Sequence, residues 1–189
     1  MKEKSSETIL HEIEPVWNKE SRVLILGTMP SPASRKAGFF YMHPQNRFWR
    51  VVPEVFEETL RLPNNAGERD AAIAERRDFL LRHKIAVWDV LASCDIQGAA
   101  DSSIKNAKSN DFTQLFEKSK IRHVFCTGKT SFNLWKKFCA AKYEERYGVT
   151  CECLPSTSPA NAAWSKERLV AEYQKICYHL NYDSDIRNK

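Results

Sequence analysis

Val23-Leu24-Ile25-Leu26 is an unbroken run of branched aliphatic residues that stops at Gly27. Such a run, with no polar alternation, suits a strand covered on both faces, as in a parallel sheet between helical layers. Three later segments repeat the pattern: Ile85-Ala86-Val87-Trp88, Ile121 to Cys126, and Val149 to Leu154. Helical spacing fills the intervals. Residues 46–57 carry Phe48, Val51, Val52, Val55 and Phe56 on one face, with Pro53 set to bend or shorten the helix. Residues 67–83 are rich in Ala, Glu and Arg; Asp111 is placed to cap a short helix through Lys118; and a helix after Gly128 is anchored by Phe132, Leu134, Trp135 and Phe138. Ser165 is placed to cap a final helix to about Leu180. This alternation predicts an α/β fold, a three-layer α/β/α sandwich around a central, mainly parallel four-stranded sheet. The chain reads as one domain over 1–189, with residues 1–8 frayed, loops at 62–65 and 93–111, and a tail at 184–189.

In a parallel sheet, the loops that follow the strands gather at one edge, where open α/β sheets bind ligands. Three such loops are polar or rich in Pro and Ser. They are Gly27-Thr28-Met29-Pro30-Ser31 and its continuation to Asn46, the 88–106 segment beginning near Asp89, and Pro155-Ser156-Thr157-Ser158-Pro159-Ala160-Asn161. Phe39, Phe40 and Tyr41 offer flat faces for a planar ligand, with polar His43 and Asn46 beside them. The bland alternatives are core packing for one or two of the aromatics and a helix cap for Asn46. Ser102, Ser103, Lys105 and Asn106 are residue types that contact phosphates, or else a solvated loop.

The net charge of +5 and pI near 8.9 favour a polyanionic partner without requiring one. No run approaches a membrane span, and the first fifteen residues lack the apolar core of a signal peptide. The six cysteines form no C-x-x-C pair, so they read as small buried hydrophobes in a reducing compartment rather than as ligands of zinc or an iron–sulfur cluster. Gly128-Lys129-Thr130 lacks the first glycine of a phosphate-binding loop, since position 123 is His. No metal or cofactor is expected.

His43-Pro44-Gln45-Asn46-Arg47-Phe48-Trp49, together with the Gly27–Ser31 turn, the 39–41 aromatics, Pro155-Ser156 and the helix from Lys166, resembles the uracil-DNA glycosylase superfamily. The resemblance spans most of the chain from Arg22 to Leu180. It departs from the mismatch-specific uracil branch at Met29, which stands where that branch carries the Asn that positions the attacking water. Gly-Thr-Met-Pro-Ser, Trp88-Asp89-Val90-Leu91, Asp101-Ser102-Ser103-Ile104 and Ser156 to Asn161 instead resemble the hypoxanthine-DNA (deoxyinosine) glycosylases. That resemblance implies base excision from double-stranded DNA carrying a deaminated base, hypoxanthine above all.

The resemblance further implies Asn46 as the catalytic residue, and His43 is the candidate beside it. Gly27, Thr28, Met29, Pro30, Phe39, Phe40, Tyr41 and Asp89 are then expected to hold the flipped base. Ser31, Ser102, Ser103, Lys105, Asn106 and residues 156–161 (Ser156, Thr157, Ser158, Pro159, Ala160, Asn161) are expected to grip the DNA. The expected protein is a monomer, cytoplasmic and nucleoid-associated if prokaryotic. The alternatives are a uracil- or mismatch-specific glycosylase, a noncatalytic DNA-binding module, which Met29 favours, and a nucleoside hydrolase.

Overall fold

A computed structural model describes residues 7–62, 68–97 and 101–185. In chain order the elements are β1 (Glu7–Leu10), β2 (Val23–Gly27), α1 (Pro32–Ala37), α2 (Phe48–Val55), α3 (Arg69–Arg82), β3 (Ile85–Asp89), β4 (Leu91–Ile96), a 3-10 turn (Asp101–Ser103), β5 (Lys105–Ser109), α4 (Thr113–Lys118), β6 (His123–Thr127), α5 (Lys129–Phe138), α6 (Ala140–Tyr147), β7 (Thr150–Leu154) and α7 (Lys166–Asp185). Residues 1–6, the expected loop past Leu62, and the tail beyond Asp185 lie outside the described residues.

The four apolar runs form one parallel sheet in the order β3-β2-β6-β7. Val23 to Gly27 lie opposite Ile85 to Asp89, and Val23 to Leu26 lie opposite His123 to Cys126. Every residue of β2 is buried, because its two faces supply two different cores. Val23 and Ile25 pack with Val51 and Val52 of α2, Phe79 of α3, and Leu169 and Tyr173 of α7. Leu24 and Leu26 pack with Leu115 and Phe116 of α4, Trp135 of α5 and Tyr143 of α6. Each fully buried aliphatic side chain contributes about 1.5–3 kcal/mol. The three-layer α/β/α sandwich follows from that two-sided demand.

One layer also holds something the sequence reading treats as frayed end and loop. β1, β4 and β5 form a three-stranded antiparallel sheet in the order β1-β4-β5. β1 buries only Ile9, and β5 exposes Lys105, Asn106 and Lys108, so neither displays the apolar pattern that marks a strand. Their backbone ladders form because Cys94 and Ile96 of β4 pack on the β2 core beneath. The Asn110 side chain locks the passage from β3 to β4, donating to the carbonyls of Asp89 at 2.9 Å and Leu91 at 3.0 Å.

The segment after Gly27 contains a helix as well. The Ser31 hydroxyl accepts the Ser34 N–H, Pro32 begins α1, and Gly38 ends it in the left-handed region at φ 72°. At the far end, Ser165 accepts the Arg168 N–H and caps α7, which runs five residues beyond the expected Leu180. Among the described residues no helix is long and apolar enough to cross a membrane, and no group of three His, Cys, Asp or Glu side chains is placed to hold a metal. All six cysteines are free thiols.

Candidate active site

The C-terminal ends of the four parallel strands open into one cavity of about 630 Å³. β2 contributes Gly27, β3 Asp89 and β6 Thr127, while Ser156 to Asn161 come from the loop that leaves β7. Thr28, Met29, Pro30, Ser31, Phe40, Tyr41, His43 and Asn46 complete the wall that the sequence reading anticipates. Ser34, Arg35, Ile96 and Asp101 also line it and are not among the anticipated residues.

Five anticipated residues lie elsewhere. Phe39 is 1% exposed and stacks on Trp49 at 5.9 Å, so it belongs to the core and offers no face to a ligand. Ser102, Ser103, Lys105 and Asn106 lie off the cavity, on the 3-10 turn and β5. The Ser103 hydroxyl accepts the Gln97 N–H, and Asn106 donates to Asp95 at 2.6 Å. The antiparallel sheet turns this stretch away from the loops it was expected to join.

The floor of the cavity is a close approach between two strand ends. A Cβ on Gly27 would sit 2.2 Å from Asp89 Oδ1, so only glycine fits there. The other Asp89 oxygen meets His11 Nε2 at 2.9 Å, with both side chains buried. His11 lies just past β1, 78 residues from its partner, and no local pattern in the sequence flags it. Asp101 stands nearby. The residue as a whole is exposed, but its carboxyl turns in beneath Thr28, whose hydroxyl donates to it at 3.4 Å. Desolvation there pushes the Asp101 carboxyl above its ordinary value, and the Asp89 charge adds to the rise.

The aromatic wall is built by stacking. The Tyr41 ring lies on Phe48 at 3.8 Å, 6° from parallel, and its hydroxyl meets Thr127 Oγ1 at 3.2 Å. Tyr41 adopts φ 56°, an unusual conformation for a bulky residue that aims the ring into the cavity. Burial and the neighbouring Asp89 push its phenol well above the usual range, so the hydroxyl stays neutral. His43 takes the Gln45 N–H on Nδ1 at 3.2 Å. Asn46 Oδ1 accepts two hydrogen bonds, from the Phe48 N–H at 3.0 Å and from the Thr157 hydroxyl at 2.8 Å. The first closes a turn just ahead of α2, whose N-cap is Arg47, so the capping role weighed for Asn46 falls to its neighbour and the Asn46 side chain belongs to the cavity wall.

The roof is braced by Arg47, which the sequence reading leaves without a role. Its N–H donates to the Thr157 carbonyl, and its guanidinium donates to the carbonyls of Ser158 at 3.1 Å, Asn161 at 2.9 Å and Trp164. Within the roof, Ser156 and Ser158 take the N–H groups of Ser158 and Ala160, and Asn161 donates to the Ser156 carbonyl. Gly128, at φ 116°, lets Ser156 approach to where a Cβ would be 3.2 Å away. These contacts leave Pro159 and Ala160 exposed at the mouth as a stiff tip. Thr157, by contrast, is 1% exposed and points inward, so it is not a surface phosphate contact.

Such an arrangement can seat a planar group against Tyr41, read its edge with backbone amides and carboxylates, and bring an amide side chain to the reacting atom. The sequence model of the uracil DNA glycosylase superfamily matches residues 14–180. A hypoxanthine DNA glycosylase of Methanosarcina acetivorans is 31% identical over 167 residues, covering 87% of this chain and 95% of that one. Its counterpart from Methanosarcina barkeri is 30% identical over 155 residues, covering 82% and 89%. The solution NMR structure of a candidate uracil DNA glycosylase from Methanosarcina acetivorans superposes with a TM-score of 0.72 at 27% identity, over 93% of this chain and 99% of that one.

Proposed function

This chain belongs to the uracil DNA glycosylase superfamily, and on that premise we propose that it excises hypoxanthine from double-stranded DNA as a single-domain monomer in the cytoplasm. The observation that carries the proposal is the Asn46 amide in the wall of the same cavity as a strand-end turn whose third residue is Met29, in a chain similar to two hypoxanthine DNA glycosylases.

In this reading the lesion swings out of the duplex and enters the cavity. Flipping costs a few kcal/mol, least for a poorly paired base such as hypoxanthine. The base lies against Tyr41 and Phe40, while the Gly27–Pro30 backbone and Asp89 read its edge. Pro159 and Ala160 fill the space left in the stack. Basic Arg35 and the hydroxyls of Ser156 and Ser158 face the phosphates.

The C1′–N9 bond then breaks with its electron pair leaving on the purine. Backbone donors stabilise that charge, as an anion hole does. Asn46 orients a water toward C1′, and its oxygen forms the new bond. One water proton ends on the departing base, which gives free hypoxanthine and an abasic site.

Single-turnover excision from duplexes carrying hypoxanthine, uracil or xanthine tests the reading. Release of hypoxanthine well ahead of uracil is the expected result. Uracil release with none of hypoxanthine would overturn the substrate assignment, and salt-sensitive binding with no base release would overturn the activity.

A further inference from the structure

The two bonds to Asn46 Oδ1 decide what that side chain can do. An amide oxygen has two lone pairs, and here both are taken, one by the Phe48 N–H and one by the Thr157 hydroxyl. A main-chain N–H can only donate, so the atom facing Phe48 is the oxygen and the amide orientation is fixed. Among the described residues Asn46 Nδ2 has no protein acceptor and is not buried. Since Asn46 lines the cavity, its NH2 is the group presented there.

Thr157 is held as firmly as the residue it holds. It is 1% exposed, and its carbonyl accepts the Arg47 N–H at 3.1 Å. The hydroxyl therefore reaches Asn46 from a backbone anchored at the next residue of the same turn.

We propose that Thr157 is a positioning residue that fixes the Asn46 amide with its NH2 toward the substrate, so that Asn46 serves as a hydrogen-bond donor rather than as a proton acceptor. The proposal rests on the glycosylase reading above. A water held by Nδ2 gives one lone pair to that bond and attacks C1′ with the other. Its proton goes to the departing base, because Asn46 has no free acceptor site to take it.

Three variants test this by single-turnover excision of hypoxanthine, with duplex binding measured in parallel. Thr157→Val keeps the shape and removes one of the two donors to Oδ1, so the amide is held by the Phe48 N–H alone and can swing about that one bond. The excision rate is expected to fall by about 10-fold or more with binding little changed. Thr157→Ser restores the hydroxyl and should recover most of the rate, which a purely packing role for the Thr157 methyl would not predict.

Asn46→Asp keeps an oxygen for Phe48 and Thr157 but replaces the donor with a second acceptor. It should be nearly inactive from about pH 8 down to about pH 5, because an ordinary Asp ionises at ~3.9 and two donated hydrogen bonds favour the charged form further. Arg35, Tyr41, His43, Asp89 and Asp101 share the cavity, and Arg47 adjoins position 46, so the profile is taken as a ratio to wild type.

Full activity in Thr157→Val, or wild-type activity of Asn46→Asp at about pH 8, would overturn the proposal. A wild-type protein that releases no base from any duplex overturns the glycosylase reading itself. In that case the Asn46 side-chain amide NMR signals of wild type and Thr157→Val still report the orientation: unchanged signals count against it, and a shifted pair supports it.

Discussion

The Arg47 guanidinium donates to the Asn161 carbonyl at 2.9 Å, across 114 residues of chain. With the bonds to Ser158 and Trp164, one side chain gathers the loop that roofs the cavity. A lysine keeps the charge but has no planar fork of donors. Arg47→Lys is therefore expected to destabilise the fold by about 2 kcal/mol. Urea unfolding measures that loss, and limited proteolysis should find new cleavage within 157–164.

Gly27→Ala tests the cavity floor. The added Cβ would meet Asp89 Oδ1 at 2.2 Å, while His11 holds the other oxygen from behind. The carboxylate cannot retreat without giving up that contact. Overpacking of this kind costs about 1–3 kcal/mol. The excision rate should fall by about 10-fold or more, since Asp89 shifts within the cavity. Rates measured well below the melting temperature separate the two effects.

Phe39 and Tyr41 stand two residues apart and have opposite fates. Phe39→Leu removes core contacts with Trp49 and should cost about 1–2 kcal/mol, with the excision rate of the folded protein unchanged. Tyr41→Leu removes the ring that faces the cavity and should lower excision and damaged-duplex affinity together. Thermal melts and single-turnover rates on both variants check the contrast.

Glu58, which does not line the cavity, supplies a pH-dependent contact. Hydrogen bonds from Arg82 first, and then from His83, hold its carboxyl at about 2 against an ordinary value near 4.5. The folded state binds the proton less tightly than the unfolded chain, so this stabilisation is fully present above about pH 4.5 and fades as pH falls toward 2. The carboxylate is 33% exposed, and solvent screening limits the contribution to under ~1 kcal/mol. Glu58→Gln should be less stable than wild type by that amount at neutral pH, and the difference should close on acidification in urea titrations.

The central sheet is legible in the chain because each buried strand must be apolar on both faces, and Val23 to Leu26 leave no other reading. The HPQNRFW turn is legible for a different reason, since it combines residue types seldom found together. The antiparallel sheet is not legible. Lys105-Asn106-Ala107-Lys108-Ser109 carries no strand signal, and its extended form comes from pairing with β4. The separation of Ser102, Ser103, Lys105 and Asn106 from the cavity follows from that pairing.

By itself, the sequence determined the sheet, its helical cover and the edge where the loops collect, since burial on two faces and strand polarity are properties of short segments. Only the tertiary structure decided which side chains share a job. His11 with Asp89, Arg47 with the 157–164 carbonyls, and Thr157 with Asn46 are partners 78 to 117 residues apart. Hydrogen bonds of about 3 Å are directional and short, so no local pattern of residues encodes them until the folded chain brings both ends together.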